Sequence, residues 1–417
     1  MLRLVHRRWI LFVILGLSGL LGFLHFYPWR QPVAAANVSV KWIYEPVERG
    51  AFISSPTVAD DKVYAAAIHD TAFSNLGAVY CLNATTGRPI WRFDDDGKMQ
   101  HMYSSPCLAD GQLYIGEGMH ANFVCKLYCL EAATGKKLWH FVAGGHIEST
   151  PCAGDGKVYF GAGDDGIYCL DAATGKKCWQ FQGPYHVDSS PALSGTRLFA
   201  GSGVSRTRKT TEAFCLDARD GTIVWRVPAD LPVWGSPALD GDDVFFGLGN
   251  GRLVEGAQPP EKPAGALLCL AAATGEQRWR FDVDDAIFAR VAVGADCVFF
   301  GARDGVCYAL DRRTGQLRWK QNLGSPIMTS PALVAERLYV VASGGRVCCL
   351  DARRGLVEWT FDVGKHSQTQ PQMYSSPAAV DLPLDQRSQR LIFFGSELRS
   401  AVSGAAVLYC LQELPAN

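Results

Sequence analysis

Tyr168-Cys169-Leu170-Asp171-Ala172-Ala173-Thr174-Gly175-Lys176-Lys177-Cys178-Trp179 (YCLDAATGKKCW) is one copy of a phrase that returns through most of the chain. Other copies run from Tyr128 to Trp139 (YCLEAATGKKLW), Leu268 to Trp279 (LCLAAATGEQRW) and Tyr308 to Trp319 (YALDRRTGQLRW). A tryptophan stands at the same point each time: Trp42, Trp91, Trp139, Trp179, Trp225, Trp279, Trp319 and Trp359. Neighbouring members of this series lie 40 to 54 residues apart. A period of that size marks propellers and solenoids, whose supersecondary unit cannot bury both faces alone.

Each repeat holds four strand-like runs. In the copy quoted, they are 149–153, Lys157–Gly161, 167–170 and Lys177–Phe181. The turns Gly154-Asp155-Gly156, Asp164-Asp165-Gly166 and Ala173-Thr174-Gly175 separate them. Short runs rich in Val, Ile, Tyr, Phe and Trp between Gly and Asp predict an antiparallel meander. No helical period persists after residue 40. Two landmarks count the repeats independently. Ser/Thr-Pro steps fall at Pro56, Pro106, Pro151, Pro191, Pro237, Pro331 and Pro377, with Val291 in the equivalent place. Cys-Leu steps fall at Leu82, Leu130, Leu170, Leu216, Leu270, Leu350 and Leu411, with Ala309-Leu310 completing the set. Both give eight. The Trp42 strand has no blade of its own, and the last repeat lacks an outer strand after Cys410-Leu411. Pairing the two removes an exposed edge. The predicted fold is all-β, an eight-bladed β-propeller of four-stranded antiparallel blades. Its ring is closed by the Trp42 strand on the C-terminal blade, and one N-terminal apolar helix precedes it.

The phrase Tyr-x-Leu-Asp-Ala-x-Thr-Gly-x-x-x-Trp resembles the repeat of the quinoprotein-like (PQQ-like) β-propellers. It is closest in style to the non-catalytic propellers of outer-membrane assembly factors. The resemblance covers the chain from Trp42 to Leu411. It implies that each tryptophan packs between neighbouring blades, positioned by a Thr-Gly turn. The family includes quinone-dependent alcohol and sugar dehydrogenases as well as propellers without a cofactor, so the resemblance implies a fold and not one activity.

Lys plus Arg number 40 and Asp plus Glu 41. This balance gives no electrostatic footprint for nucleic acid. Arg3, Arg7 and Arg8 precede an apolar run from Trp9 to Tyr27. The run is long enough to cross a bilayer, with its N-terminus kept inside. The expected organisation is a signal-anchor or transmembrane segment over 1–27, a linker over 28–37 and the propeller over 38–417. Cleavage near Ala34-Ala35-Ala36 is the competing reading, and both place the propeller outside the cytoplasmic membrane. Of the fourteen cysteines, Cys81, Cys129, Cys169, Cys215, Cys269, Cys349 and Cys410 fill one repeat position, where the sixth blade has Ala309. They read as small buried residues. Cys125, in an insertion, reads as the one reactive thiol.

The quinone enzymes line their cofactor with a disulfide between adjacent cysteines. Cys348-Cys349 lies within a predicted strand instead, and neither a cofactor (PQQ included) nor a bound metal is expected. Asp94-Asp95-Asp96 and Asp164-Asp165 read as solvated turns. His101, His146 and His186 each lie five residues before a Ser/Thr-Pro landmark. With His69, His120 and His366 they are predicted to ring one channel mouth, at positions too far apart for the first three to share an ion. Long insertions are predicted on the same face at 68–78, 119–126, 204–212, 250–265 and 397–406. With Tyr103, Trp234, Phe288, Arg290, Met328 and Tyr374, this face would receive a protein or peptide partner, since aromatic residues and Arg dominate such contacts. The expected function is a membrane-tethered, non-enzymatic interaction module. The alternative is a quinone-dependent dehydrogenase, or a small-ligand or metal binder at the channel mouth.

Overall fold

Every repeat tryptophan faces a small residue across its strand pair. Cys81 pairs with Trp91, Cys129 with Trp139, Cys169 with Trp179 and Cys215 with Trp225. Cys269 pairs with Trp279, Ala309 with Trp319, Cys349 with Trp359 and Cys410 with Trp42. Each ladder slips by one residue at this point, a β-bulge that lets the indole leave the sheet. Cysteine therefore stands in for alanine because the opposite strand carries the repeat's largest side chain.

The computed structural model describes residues 38–70, 75–120, 122–251, 260–384, 387–399 and 404–414. The predicted segments 1–27 and 28–37 lie outside these residues. Among the described residues, no helix is long and apolar enough to cross a membrane. Eight antiparallel sheets form in chain order. The third blade is typical, with strands Cys152–Gly154, Lys157–Gly161, Ile167–Asp171 and Lys177–Phe181. First strands of adjacent blades touch all the way round, the eighth meeting the first. Strand Val38–Tyr44 pairs antiparallel with Gly404–Glu413, Trp42 opposite Cys410, and completes the eighth blade. The predicted eight-bladed ring and its closure are therefore what the chain forms. Strands Gly50–Ala51 and Gln370–Gln372 add to the first and last blades, and Val363–Ser367 makes one helical turn.

Between each pair of blades lies one apolar core. Tyr159, Ile167, Val187, Leu198 and Phe214 fill the seam between blades three and four. Each tryptophan caps such a seam from outside. Trp139 Nε1 donates to the Ala172 carbonyl of the next blade at 3.0 Å. Its ring lies on Gly175, where an added Cβ would come within 2.6 Å of the indole, and Gly175 has φ +68°. Only glycine serves both demands. Trp42, Trp91, Trp179, Trp225, Trp279 and Trp319 repeat this contact on Gly87, Gly135, Gly221, Gly275, Gly315 and Gly355. Trp359 differs because the last blade has no such turn. Its Nε1 donates to Glu413 Oε1 at 3.0 Å, and the same carboxylate accepts from the Tyr339 hydroxyl and from Arg337 Nη1.

The Ser-Ser/Thr-Pro landmark has two jobs. The first hydroxyl binds within its blade: Ser149 Oγ accepts from Gly161 N and donates to Gly161 O, both at 2.9 Å. The second hydroxyl links blades around the channel. Ser55 N donates to Ser105 Oγ, Ser105 N to Thr150 Oγ1, Thr150 N to Ser190 Oγ and Ser190 N to Ser236 Oγ. The chain of bonds resumes from Arg290 N to Ser330 Oγ, Ser330 N to Ser376 Oγ, and Ser376 N back to Ser55 Oγ. One link is missing, because position 290 carries no hydroxyl.

The cysteine expectations need one correction. All fourteen thiols are unpaired. Cys125 is fully buried as the first residue of strand Cys125–Glu131, and burial pushes its thiol up to about 12. A thiol so protonated is a poor nucleophile. Cys178 is the exposed one.

Candidate metal and partner site at the channel mouth

Connections between blades and connections between second and third strands emerge on one side, and close backbone pairs join them. Met102 bridges Gly118, Gly163 bridges Val187, and His186 bridges Gly203. The Gly-x-Gly steps that end second strands make room here. A Cβ on Gly161 would lie 2.5 Å from the Val187 carbonyl, so this glycine is needed for space.

One repeat position, three residues before the Pro landmark, supplies the inner wall of the mouth. In ring order it carries Ile53, Tyr103, Glu148, Asp188, Trp234, Phe288, Met328 and Tyr374. The wall divides by chemistry. Phe288 and Met328 pack with Ala286, and Trp234 and Tyr374 lie against them. Four consecutive inter-blade connections thus contribute to one apolar cluster. Trp234 stands edge-on to His186 at 6.4 Å between ring centroids. Its Nε1 is buried with no hydrogen-bond partner among the described residues. Tyr103 is partly exposed at the rim, and its hydroxyl is pushed up to about 12 by burial, with Glu148, Tyr374 and Glu397 adding to the shift.

The other part of the wall is ionic. Asp188 Oδ1 lies 3.1 Å from His146 Nε2, and Asp188 Oδ2 lies 2.8 Å from His186 Nε2 and 3.5 Å from His120 Nε2. Glu148 Oε1 takes the His120 backbone N–H at 2.8 Å and meets its Nδ1 at 2.5 Å. Asp164 Oδ1 meets His186 Nδ1 at 2.6 Å. The His120 and His146 rings stack with centroids 5.0 Å apart. The hydrogen bond that His120 donates to the Glu148 carboxylate pushes its pKa up to about 9. Burial would lower His186, but Asp188 and Asp164 outweigh it and raise it. Burial would raise Asp188, but the hydrogen bonds from His146 and His186 hold it well below the usual carboxylate range. Two groups bring ligand atoms within 4.8 Å of one another: His120, His186 and Asp188, and His120, His146 and Glu148.

Several expectations change accordingly. Of the three equivalent histidines, His146 and His186 meet through Asp188, with His120 beside them. His101 is buried outside both groups, and its carbonyl accepts from Gly118 N. His69 is buried against the Tyr80 hydroxyl at 2.8 Å, and His366 packs on Phe361. Arg290 does not join the aromatic cluster. Its side chain lies in the channel among Ala238, Leu239, Ser330 and Leu333, where burial lowers its pKa. The aspartate turns are not simply solvated: Asp95 is buried between Lys126, Lys137 and Tyr128, and Asp164 binds His186. Parts of the long insertions, 71–74, 121, 252–259 and 400–403, lie outside the described residues.

The adjacent cysteines do not suit a quinone. As neighbours in strand Arg346–Asp351 they face opposite sides of blade seven. Cys348 packs with Ile327 and Val340, and Cys349 with Trp359 and Phe394.

A family model described as outer membrane protein assembly factor BamB matches residues 75–208, 185–256 and 263–403. The chain belongs to this family. No curated protein sequence matches it. Among solved structures it is similar to BamB from Moraxella catarrhalis, at 16% identity and TM-score 0.62, covering 90% of this chain and 99% of that one. It is also similar to the quinohemoprotein alcohol dehydrogenase from Comamonas testosteroni, at 13% identity and TM-score 0.66, covering 91% and 78%. A computationally designed protein, Ika8, gives 14% identity and TM-score 0.63, covering 88% and 98%. At such identities these likenesses speak for the fold, which serves both an assembly factor and an oxidoreductase.

Proposed function

We propose that the chain is an extracytoplasmic, membrane-tethered propeller that holds a protein partner at the channel mouth and catalyses no reaction on it. The observation that carries this reading is the apolar cluster of Ala286, Phe288, Met328, Trp234 and Tyr374 gathered at the mouth from four consecutive blade connections. Trp234 and Tyr374, partly exposed over a buried base of Phe288 and Met328 on a rigid ring, suit an extended peptide segment, because little side-chain freedom remains to be lost on binding. The family's assembly-factor description supports a protein partner, and the N-terminal run supports tethering through residues 9–27. No quinone enters the proposal, since Cys348 and Cys349 lie in separate inter-blade cores.

The test uses full-length chain carrying single photo-crosslinking residues on either rim. Crosslinks to protein should gather around Tyr103, Trp234 and Tyr374, and Trp234→Ala should weaken them at least tenfold. Crosslinks gathered around Thr134, Thr174 and Thr314 would overturn the face. Alcohol oxidation by the purified chain after addition of pyrroloquinoline quinone and calcium would overturn the non-enzymatic reading.

A further inference from the structure

We propose that the ionic part of the mouth binds one divalent transition-metal ion of the zinc class through His120 Nε2, His186 Nε2 and the Asp188 carboxylate. Bonds of about 2.0 Å in a tetrahedral shell place ligand atoms roughly 3.3 Å apart. The two nitrogens here stand 3.5 and 2.8 Å from Asp188 Oδ2, so small side-chain shifts suffice. Two imidazoles with one carboxylate select zinc-like ions over calcium or magnesium, which prefer all-oxygen shells.

The surroundings strengthen the assignment. Glu148 sits on His120 Nδ1 and Asp164 on His186 Nδ1. A carboxylate on the far nitrogen is the arrangement that orients a metal-ligating histidine and fixes its tautomer. With the proton held at Nδ1, each neutral ring turns its Nε2 lone pair toward Asp188. The second oxygen of Asp188 is steadied by His146, whose ring is stacked on His120. His120 is half-exposed, which gives an ion a route from solvent, whereas His186 and Asp188 are buried and hold the site rigid.

The experiment is calorimetric titration of chelator-stripped full-length chain with zinc alone, with calcium as comparison. One zinc per chain should bind at micromolar affinity or tighter, and calcium should not. His120→Asn and Asp188→Asn should each weaken zinc at least tenfold, Glu148→Gln by about tenfold, and His101→Asn should leave it unchanged. Cobalt should give a visible ligand-field spectrum that His120→Asn abolishes. Absence of saturable zinc binding, or equal binding by the His120→Asn chain, overturns the site. Both readouts are made without a partner, so they stand or fall apart from the crosslinking result.

Discussion

The two rims of this ring are built on opposite rules. On the Thr-Gly rim the same contact is made seven times, an indole over a glycine with its N–H on the following blade's backbone. On the other rim, one repeat position carries seven different residue types over eight blades, from Glu148 and Asp188 to Trp234 and Met328. Repetition marks where the chain solves its own folding problem. Variation at a geometrically fixed position marks where each blade has been given a separate task.

The largest effect expected on substitution lies on the repeated rim. Trp279→Ala should cost about 3–5 kcal/mol in urea unfolding, through the cavity it leaves between blades five and six. Trp234→Ala should cost under about 1 kcal/mol while losing partner crosslinks, since half-buried groups contribute less to folding. If the two costs are equal, the division between rims fails.

Gly175→Val should follow at about 2–4 kcal/mol, because the turn has positive φ and the Trp139 ring leaves no space for a side chain. Thermal unfolding checks it, with Gly156→Val as a control at positive φ but in open space. Equal costs would mean that conformation alone, and not the tryptophan, dictates the glycine.

Glu413→Ala comes next, at roughly 1–3 kcal/mol, since it strips an acceptor from Trp359, Tyr339 and Arg337 together. Deleting residues 38–44 should lower the melting temperature further than this substitution. A truncated chain melting like the intact one would refute the ring closure. The smallest effect is expected at Arg290→Ser, which supplies the hydroxyl missing from the channel circuit and should stabilise by up to about 1 kcal/mol.

The repeated rim was legible in the sequence because its residues keep a fixed offset from one another. Trp179, Thr174 and Cys169 can be aligned with their counterparts by counting, and the blade number follows. The mouth was half legible. His146 and His186 share a repeat position with His101, and that likeness predicts three equivalent places around the mouth. Their partners decide otherwise. Glu148 and Asp188 follow two of these histidines, where Tyr103 follows the third. His120 comes from an insertion with no counterpart in the repeat, so counting could not show that it folds back between them. Arg290 lies in the channel because it occupies the second-hydroxyl position of its landmark, a position that faces the channel in the other blades.

The closing strand pair also sets how the ring would respond to force. Val38 lies opposite Glu413 and Tyr44 opposite Leu408, so residues before 38 and after 413 leave from the same end of an antiparallel ladder. Tension between them would open the bonds one after another, as a zipper opens, whereas shearing would load them all at once. The first pair to be strained is the one containing Glu413, which also fastens the eighth tryptophan. A pull of this kind would therefore unseat the last seam before any other blade feels it.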